Sequence, residues 1–179
     1  MKQIFPEATI MNGTEMLKAI KKRRSIRKYT DDNVSDEAIN SLIEAARWAP
    51  SGLNNQPWRF VILRDKNILK ELSTMTKYGR IIRACDAAIG VYFHLASGYN
   101  RDKDLMSIGA AIENILLAAD SLDIGALWLG EILNRKDDVS ALLGVGNDHE
   151  LMAVIALGRP DEHPSSKRKP ANELIIKRL

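Results

Sequence analysis

Cysteine is almost absent from this chain. Cys85 is the single thiol, which rules out an internal disulfide and fits a reducing compartment. Histidine is nearly as scarce: His94, His149 and His163 show no zinc-like spacing, and Cys85 has no CxxC partner. No metal centre is therefore expected. Long hydrophobic runs are missing too. The longest, residues 87–93 and 151–157, are far too short to span a bilayer, so no membrane partner is expected. Residues 1–12 hold no long apolar stretch, so a secretory leader is not expected and the chain reads as cytoplasmic. Charge of one sign is in short supply as well. A net charge of +3 and a pI near 9.0 can attract anions, but they are too mild to argue for a nucleic-acid partner. Finally, there is no GxGxxG after a strand, no GxxxxGK[ST] and no GxSxG elbow. Gly144-Val145-Gly146 follows a helical stretch and reads as a C-cap, not a phosphate loop.

The 179 residues, 45% hydrophobic and 27% charged, suit one globular domain covering residues 1–179. Thr14 can cap a short helix carrying Leu17 and Ile20 on one face. Ser35 opens a second, with Ile39, Leu42, Ile43, Ala46 and Ala49 at helical spacing. Residues 58–63 are aromatic and β-branched, hence a strand. A helix is predicted over residues 67–76, a buried strand over 87–95 and a polar loop over 97–104. Residues 104–122 form the longest helix, with Leu105, Ile108, Ile112, Ile115, Leu116 and Ala119 on one face and small residues on the other. A helix apolar nearly all round is buried in a large core or against a second subunit. A short strand over 125–129, a helix over 135–142 and a strand over 150–157 complete the pattern, followed by a polar, basic tail. The irregular alternation favours α/β or α+β.

Three segments can carry chemistry. The run from Lys21 to Arg27 holds several cations and Ser25; taken alone it reads first as a solvated helix end and second as a phosphate site. The loop over 50–57 offers Ser51, Asn54, Asn55 and Gln56 as hydrogen-bonding groups around Gly52, yet alone it is a plain helix-to-strand connection. Trp128-Leu129-Gly130-Glu131 ends a strand at a glycine whose neighbouring amides can hold an electron-rich ring atom, with the Glu131 side chain read as structural.

Together these segments resemble the nitroreductase family of FMN-dependent, NAD(P)H-using oxidoreductases. Arg23-Arg24-Ser25-Ile26-Arg27-Lys28-Tyr29 is similar to the opening signature, and Ala49-Pro50-Ser51-Gly52-Leu53-Asn54-Asn55-Gln56-Pro57-Trp58 to the second. The helix Ser107-Ile108-Gly109-Ala110-Ala111-Ile112-Glu113-Asn114-Ile115, then Trp128-Leu129-Gly130-Glu131, Ala156-Leu157-Gly158-Arg159-Pro160 and Lys167-Arg168-Lys169-Pro170 follow in order. The resemblance implies an α+β, three-layer α/β/α fold with a mainly antiparallel central sheet and a C-terminal segment reaching onto the partner of a homodimer. It also implies that Arg23, Arg24, Ser25, Arg27 and Arg168 hold the FMN phosphate, and that Pro50, Ser51, Gly52 and Asn54 reach the flavin, usually the partner's. Leu129, Gly130 and Glu131 would face the ring near N5, and Lys77 and Arg80 are candidates for its pyrimidine edge. The implied reaction uses NADH or NADPH to reduce nitroaromatics, quinones or related small acceptors by ping-pong hydride transfer through N5, with no catalytic side chain. Dehalogenation, ring oxidation without NAD(P)H and flavin binding without turnover remain open within the same cradle. An anion or nucleic-acid binder using residues 21–27 is a further alternative, though the run lacks interleaved aromatics.

Overall fold

A computed structural model describes residues 13–179; the segment 1–12, read above as lacking a leader, lies outside the described residues. Four strands form one antiparallel sheet in the order β1-β2-β4-β3: β1 Trp58–Leu63, β2 Ala87–His94, β3 Gly125–Leu129 and β4 His149–Gly158. The two central strands are the two apolar runs of the sequence, and both are buried on both faces. Helices therefore cover both sides, as the α+β three-layer expectation requires.

One layer contains α2 Asp36–Arg47 and α5 Arg101–Ser121. Ile39, Leu42 and Ala46 of α2 pack with Ile108, Ile112 and Ile115 of α5 over Ile89, Val91 and Ile155 of the sheet. The other layer contains α3 Lys66–Leu72, α4 Gly79–Ala84 and α6 Lys136–Leu142. There Leu69, Leu72, Ile82 and Val139 cover Ala88, Tyr92 and Val154. Residue alternation along each strand divides its side chains between these two cores. The remaining helix, α1 Gly13–Lys22, buries none of its residues.

Capping chemistry sets the helix starts. Ser35 Oγ accepts from the Ala38 amide, as the sequence predicts for α2. The helix predicted over 67–76 instead starts at Lys66, because the Asp65 carboxylate accepts from the Asn67 and Ile68 amides. It ends at Leu72 and passes into a 3-10 turn, Ser73–Met75. The six-residue α4 was not anticipated, being too short to show a helical period. Helix α5 begins at Arg101, not at residue 104: Asn100 Oδ1 caps it through the Lys103 amide at 3.1 Å. Likewise α6 starts at Lys136 after a 3-10 turn, Glu131–Arg135, and Gly144 closes it in the left-handed region with φ 64.

Candidate functional site

The basic run does not continue α1. Residues 25–30 leave the helix and lie along the start of β3 and the end of β4. The Ile26 amide donates to the Ala126 carbonyl at 3.1 Å, and the Thr30 amide to that of Arg159 at 3.0 Å. Tyr29 packs on Gly158, where a Cβ would approach the Tyr29 ring to 2.7 Å, so that glycine permits the close approach. The chain after β4 runs back beside this segment: the Asp161 amide donates to the Lys28 carbonyl, and Glu162 Oε1 accepts from the Arg27 amide at 2.6 Å. This pairing brings the distant Arg168 to the basic run.

The outcome is one cavity of about 260 Å³ lined by Arg23, Arg24, Ser25 and Arg27 together with Arg168 and the residues 164–166. All five sequence-predicted phosphate residues meet there. Arg24 Nη1 also closes the end of α1, donating to the carbonyls of Lys21, Lys22 and Arg23. Arg23 Nε lies 3.4 Å from Glu113 Oε1, without hydrogen-bond geometry, and is otherwise buried without a partner. Among the described residues, Arg24, Arg27 and Arg168 have no carboxylate within ion-pair distance. Four guanidinium groups, of which only that of Arg23 has a carboxylate within ion-pair distance, make a site that favours an anion.

Pro50, Ser51, Gly52 and Asn54 lie elsewhere in the single chain, in the loop between α2 and β1. Asn54 borders a separate hollow with Arg47, Trp48, Ala49 and Gln56. Leu53, Asn54 and Gln56 all adopt positive φ, at 56, 53 and 45, a conformation that L residues seldom hold without outside support. The support is visible. Asn55 Nδ2 donates to the Ser97 carbonyl at 2.9 Å and to Asp104 Oδ1 at 2.7 Å. Ser51 Oγ accepts from the Gln56 amide at 3.1 Å. Gly52 packs on Tyr99, whose hydroxyl would lie 1.9 Å from any Cβ there.

Leu129, Gly130 and Glu131 end β3 at the edge of the sheet. Gly130 has open space where a side chain would stand, so a planar group can approach its backbone. The Glu131 carboxylate is structural, as its sequence context suggested: it accepts from Thr76 Oγ1 at 2.6 Å and from the Lys77 amide at 3.0 Å. The Thr76 bond, then the Lys77 amide, hold its pKa below the ordinary carboxylate value. Lys77 is thereby placed beside the strand end; among the described residues no hydrogen bond or ion pair places Arg80 there.

Two groupings escaped the sequence. Two of the three histidines do assemble, contrary to expectation. His94 and His149 face each other across the β2–β4 register and stack with ring centroids 4.8 Å apart, and Asp148 Oδ1 lies 2.8 Å from His149 Nδ1. Strand pairing, which spacing does not reveal, brings them together. The Arg59 guanidinium, 3.3 Å from His94 Nδ1, sets a positive charge against any cation at that cluster. The second grouping is Asp104 with Asn55, which lie 49 positions apart and share no local pattern. Cys85 is buried, and burial pushes its thiol up to about 11, which disfavours the nucleophilic thiolate.

Away from the basic cavity, Glu150 joins Arg101 of α5 and Lys136 of α6, at 2.7 and 2.8 Å. The Arg101 bond, reinforced by Lys136, outweighs desolvation and lowers the Glu150 pKa from 4.5 to about 2. A depressed folded-state pKa means stability that is present above the unfolded value and lost as pH falls toward the folded one. Both partners are about half exposed, so screening trims the effect. Glu150→Gln is expected to cost about 1–2 kcal/mol at neutral pH. In urea unfolding, its deficit should shrink between pH 4.5 and about 2; a deficit independent of pH in that range would count against the ion triad.

The family model described as the nitroreductase family matches residues 20–79 and 81–159. The chain belongs to the nitroreductase family. Its nitroreductase fold is also that of a solved Desulfovibrio desulfuricans protein, provisionally named a nitroreductase and crystallised in complex with FMN. The two are 44% identical with a TM-score of 0.88, over 91% of this chain and 96% of that one. An Archaeoglobus fulgidus relative, provisionally named an NADH dehydrogenase/NAD(P)H nitroreductase, is 41% identical over 83% of this chain and 87% of its own length. The FMN reductase [NAD(P)H] of Bacillus subtilis is 25% identical over 90% of this chain and 72% of its own. No helix among the described residues is long and apolar enough to cross a membrane.

Proposed function

We propose that this nitroreductase-family chain is a single-domain, FMN-dependent NAD(P)H oxidoreductase that works as a cytoplasmic homodimer and reduces small acceptors such as nitroaromatics or quinones. The observation that carries the proposal is the cavity of Arg23, Arg24, Ser25, Arg27 and Arg168, in which cations outnumber counter-charges. Its donor set fits a phosphate monoester: guanidinium forks bind phosphate oxygens in pairs and Ser25 adds a hydroxyl. The FMN-bound relative supports the choice of cofactor.

Bound FMN would supply the redox chemistry, hydride exchange between NAD(P)H and the acceptor. The protein anchors, orients and shields. Arginines fix the phosphate end. Gly130, bare of a side chain, leaves the backbone of Leu129, Gly130 and Glu131 open to the ring, where amide donors favour added negative charge. Pro50, Ser51, Gly52 and Asn54 would close over the flavin of the other subunit.

Exposed apolar groups support the dimer. Met16, Leu17 and Ile20 of α1 stand in solvent in the single chain, as do Met106 of α5 and Leu174 and Ile176 of the tail. A partner subunit would cover such side chains on α1, α5 and the tail. The tail residues would be covered by extending onto the partner subunit. Light scattering should give a dimeric mass; a monomer with FMN bound would contradict this arrangement. Anaerobic mixing with NADH or NADPH should bleach the flavin, and a flavin that stayed oxidised with both would contradict the donor assignment.

A further inference from the structure

We propose that Asp104 is a positioning residue for the cofactor loop: through Asn55 it fixes the shape of residues 50–57, and thereby the affinity for FMN. The inference rests on the FMN reading above.

Asp104 is fully buried, and among the described residues no cation lies within ion-pair distance of it. A carboxylate in that position needs several N–H donors. It has three. Oδ2 accepts from the Tyr99 and Asn100 amides, each at 3.0 Å, which serves the start of α5 in the manner of a capping box. Capping requires only that oxygen. Oδ1 is given to Asn55, at 2.7 Å, the shortest of the three contacts.

The orientation of Asn55 is fixed by its surroundings. Both groups at its Nδ2 are acceptors, Ser97 O and Asp104 Oδ1. A flipped amide would set oxygen against oxygen at both contacts, even though Oδ1 as placed is buried without a partner. One amide therefore ties the middle of the loop to the first turn of α5. Around it, Leu53, Asn54 and Gln56 hold positive φ, which an untethered loop would relax. Because Ser51, Gly52 and Asn54 belong to the same short turn, releasing Asn55 alters the surface that they offer the flavin.

The test is an FMN titration of the apoprotein by flavin fluorescence, with hydrogen exchange on the same samples. Asn55→Ala should raise the FMN Kd roughly tenfold or more, the loss of a charge-assisted hydrogen bond. It should also speed exchange across residues 51–56 while leaving β2 and β4 protected. Asp104→Asn, which keeps the size of the side chain but sets a donor against Asn55 Nδ2, should act in the same direction. Asp65→Ala, a lost helix cap on the opposite side of the sheet, should lower the melting temperature with Kd changed by less than about twofold. Wild-type binding with both loop variants within about twofold of it would overturn the inference and leave the FMN reading intact. Unchanged exchange over 51–56 in Asn55→Ala would overturn it as well. Wild type that takes up no FMN would defeat the cofactor reading, and this inference with it.

Discussion

Arg27→Ala is expected to weaken FMN binding by roughly ten- to a hundredfold, the cost of one charge-assisted phosphate contact in a recessed site. Arg27 lines the basic cavity and its guanidinium has no carboxylate partner among the described residues; its amide keeps Glu162 in Arg27→Ala, so the substitution frees no acid and leaves only the anion less well held. Its neighbour Lys28 adds a similar charge but does not line that cavity; its carbonyl accepts from the Asp161 amide. Lys28→Ala should therefore shift the Kd by less than about twofold, and the gap between the two variants should narrow as salt rises. Equal losses in the two variants would mean that the phosphate lies elsewhere.

The largest expected effect on stability lies in the sheet. Ile155 is fully buried at the centre of β4, opposite Ile89 on one side and Trp128 on the other. It faces α2 and α5, where helices above and strands on either side leave little room for collapse into a void. Ile155→Ala should cost about 2–5 kcal/mol, most of it from the cavity left behind. For a chain of this size that lowers Tm by roughly 5–15 °C. A loss under about 1 kcal/mol in denaturant unfolding would show that this core is looser than its burial implies.

The sequence was most legible where burial alone decides. The two apolar runs became the central strands, and the Ser35-capped pattern became α2 nearly to the residue. Pairing direction was less visible. Strands apolar on both faces are the usual mark of a parallel sheet, yet here every pairing is antiparallel, and the helices on both faces account for the double burial. Misplaced boundaries trace to side-chain caps: Asp65 and Asn100 each start a helix earlier than hydrophobic spacing suggests. The residues of the basic cavity were readable as a motif, but their meeting depends on the chain after β4 returning beside residues 25–30. The links from Asn55 to Asp104 and from Glu131 to Thr76 span 49 and 55 positions, and nothing local announces either. The histidine pair is hidden for the same reason.

Everything functional here depends on whether the basic cavity takes a flavin phosphate. The most direct measurement is the visible spectrum of the purified protein, repeated after incubation with FMN and removal of unbound flavin. The account predicts flavin absorbance that stays with the protein and falls away in Arg27→Ala under the same wash. A protein that retains no flavin before or after reconstitution would contradict it.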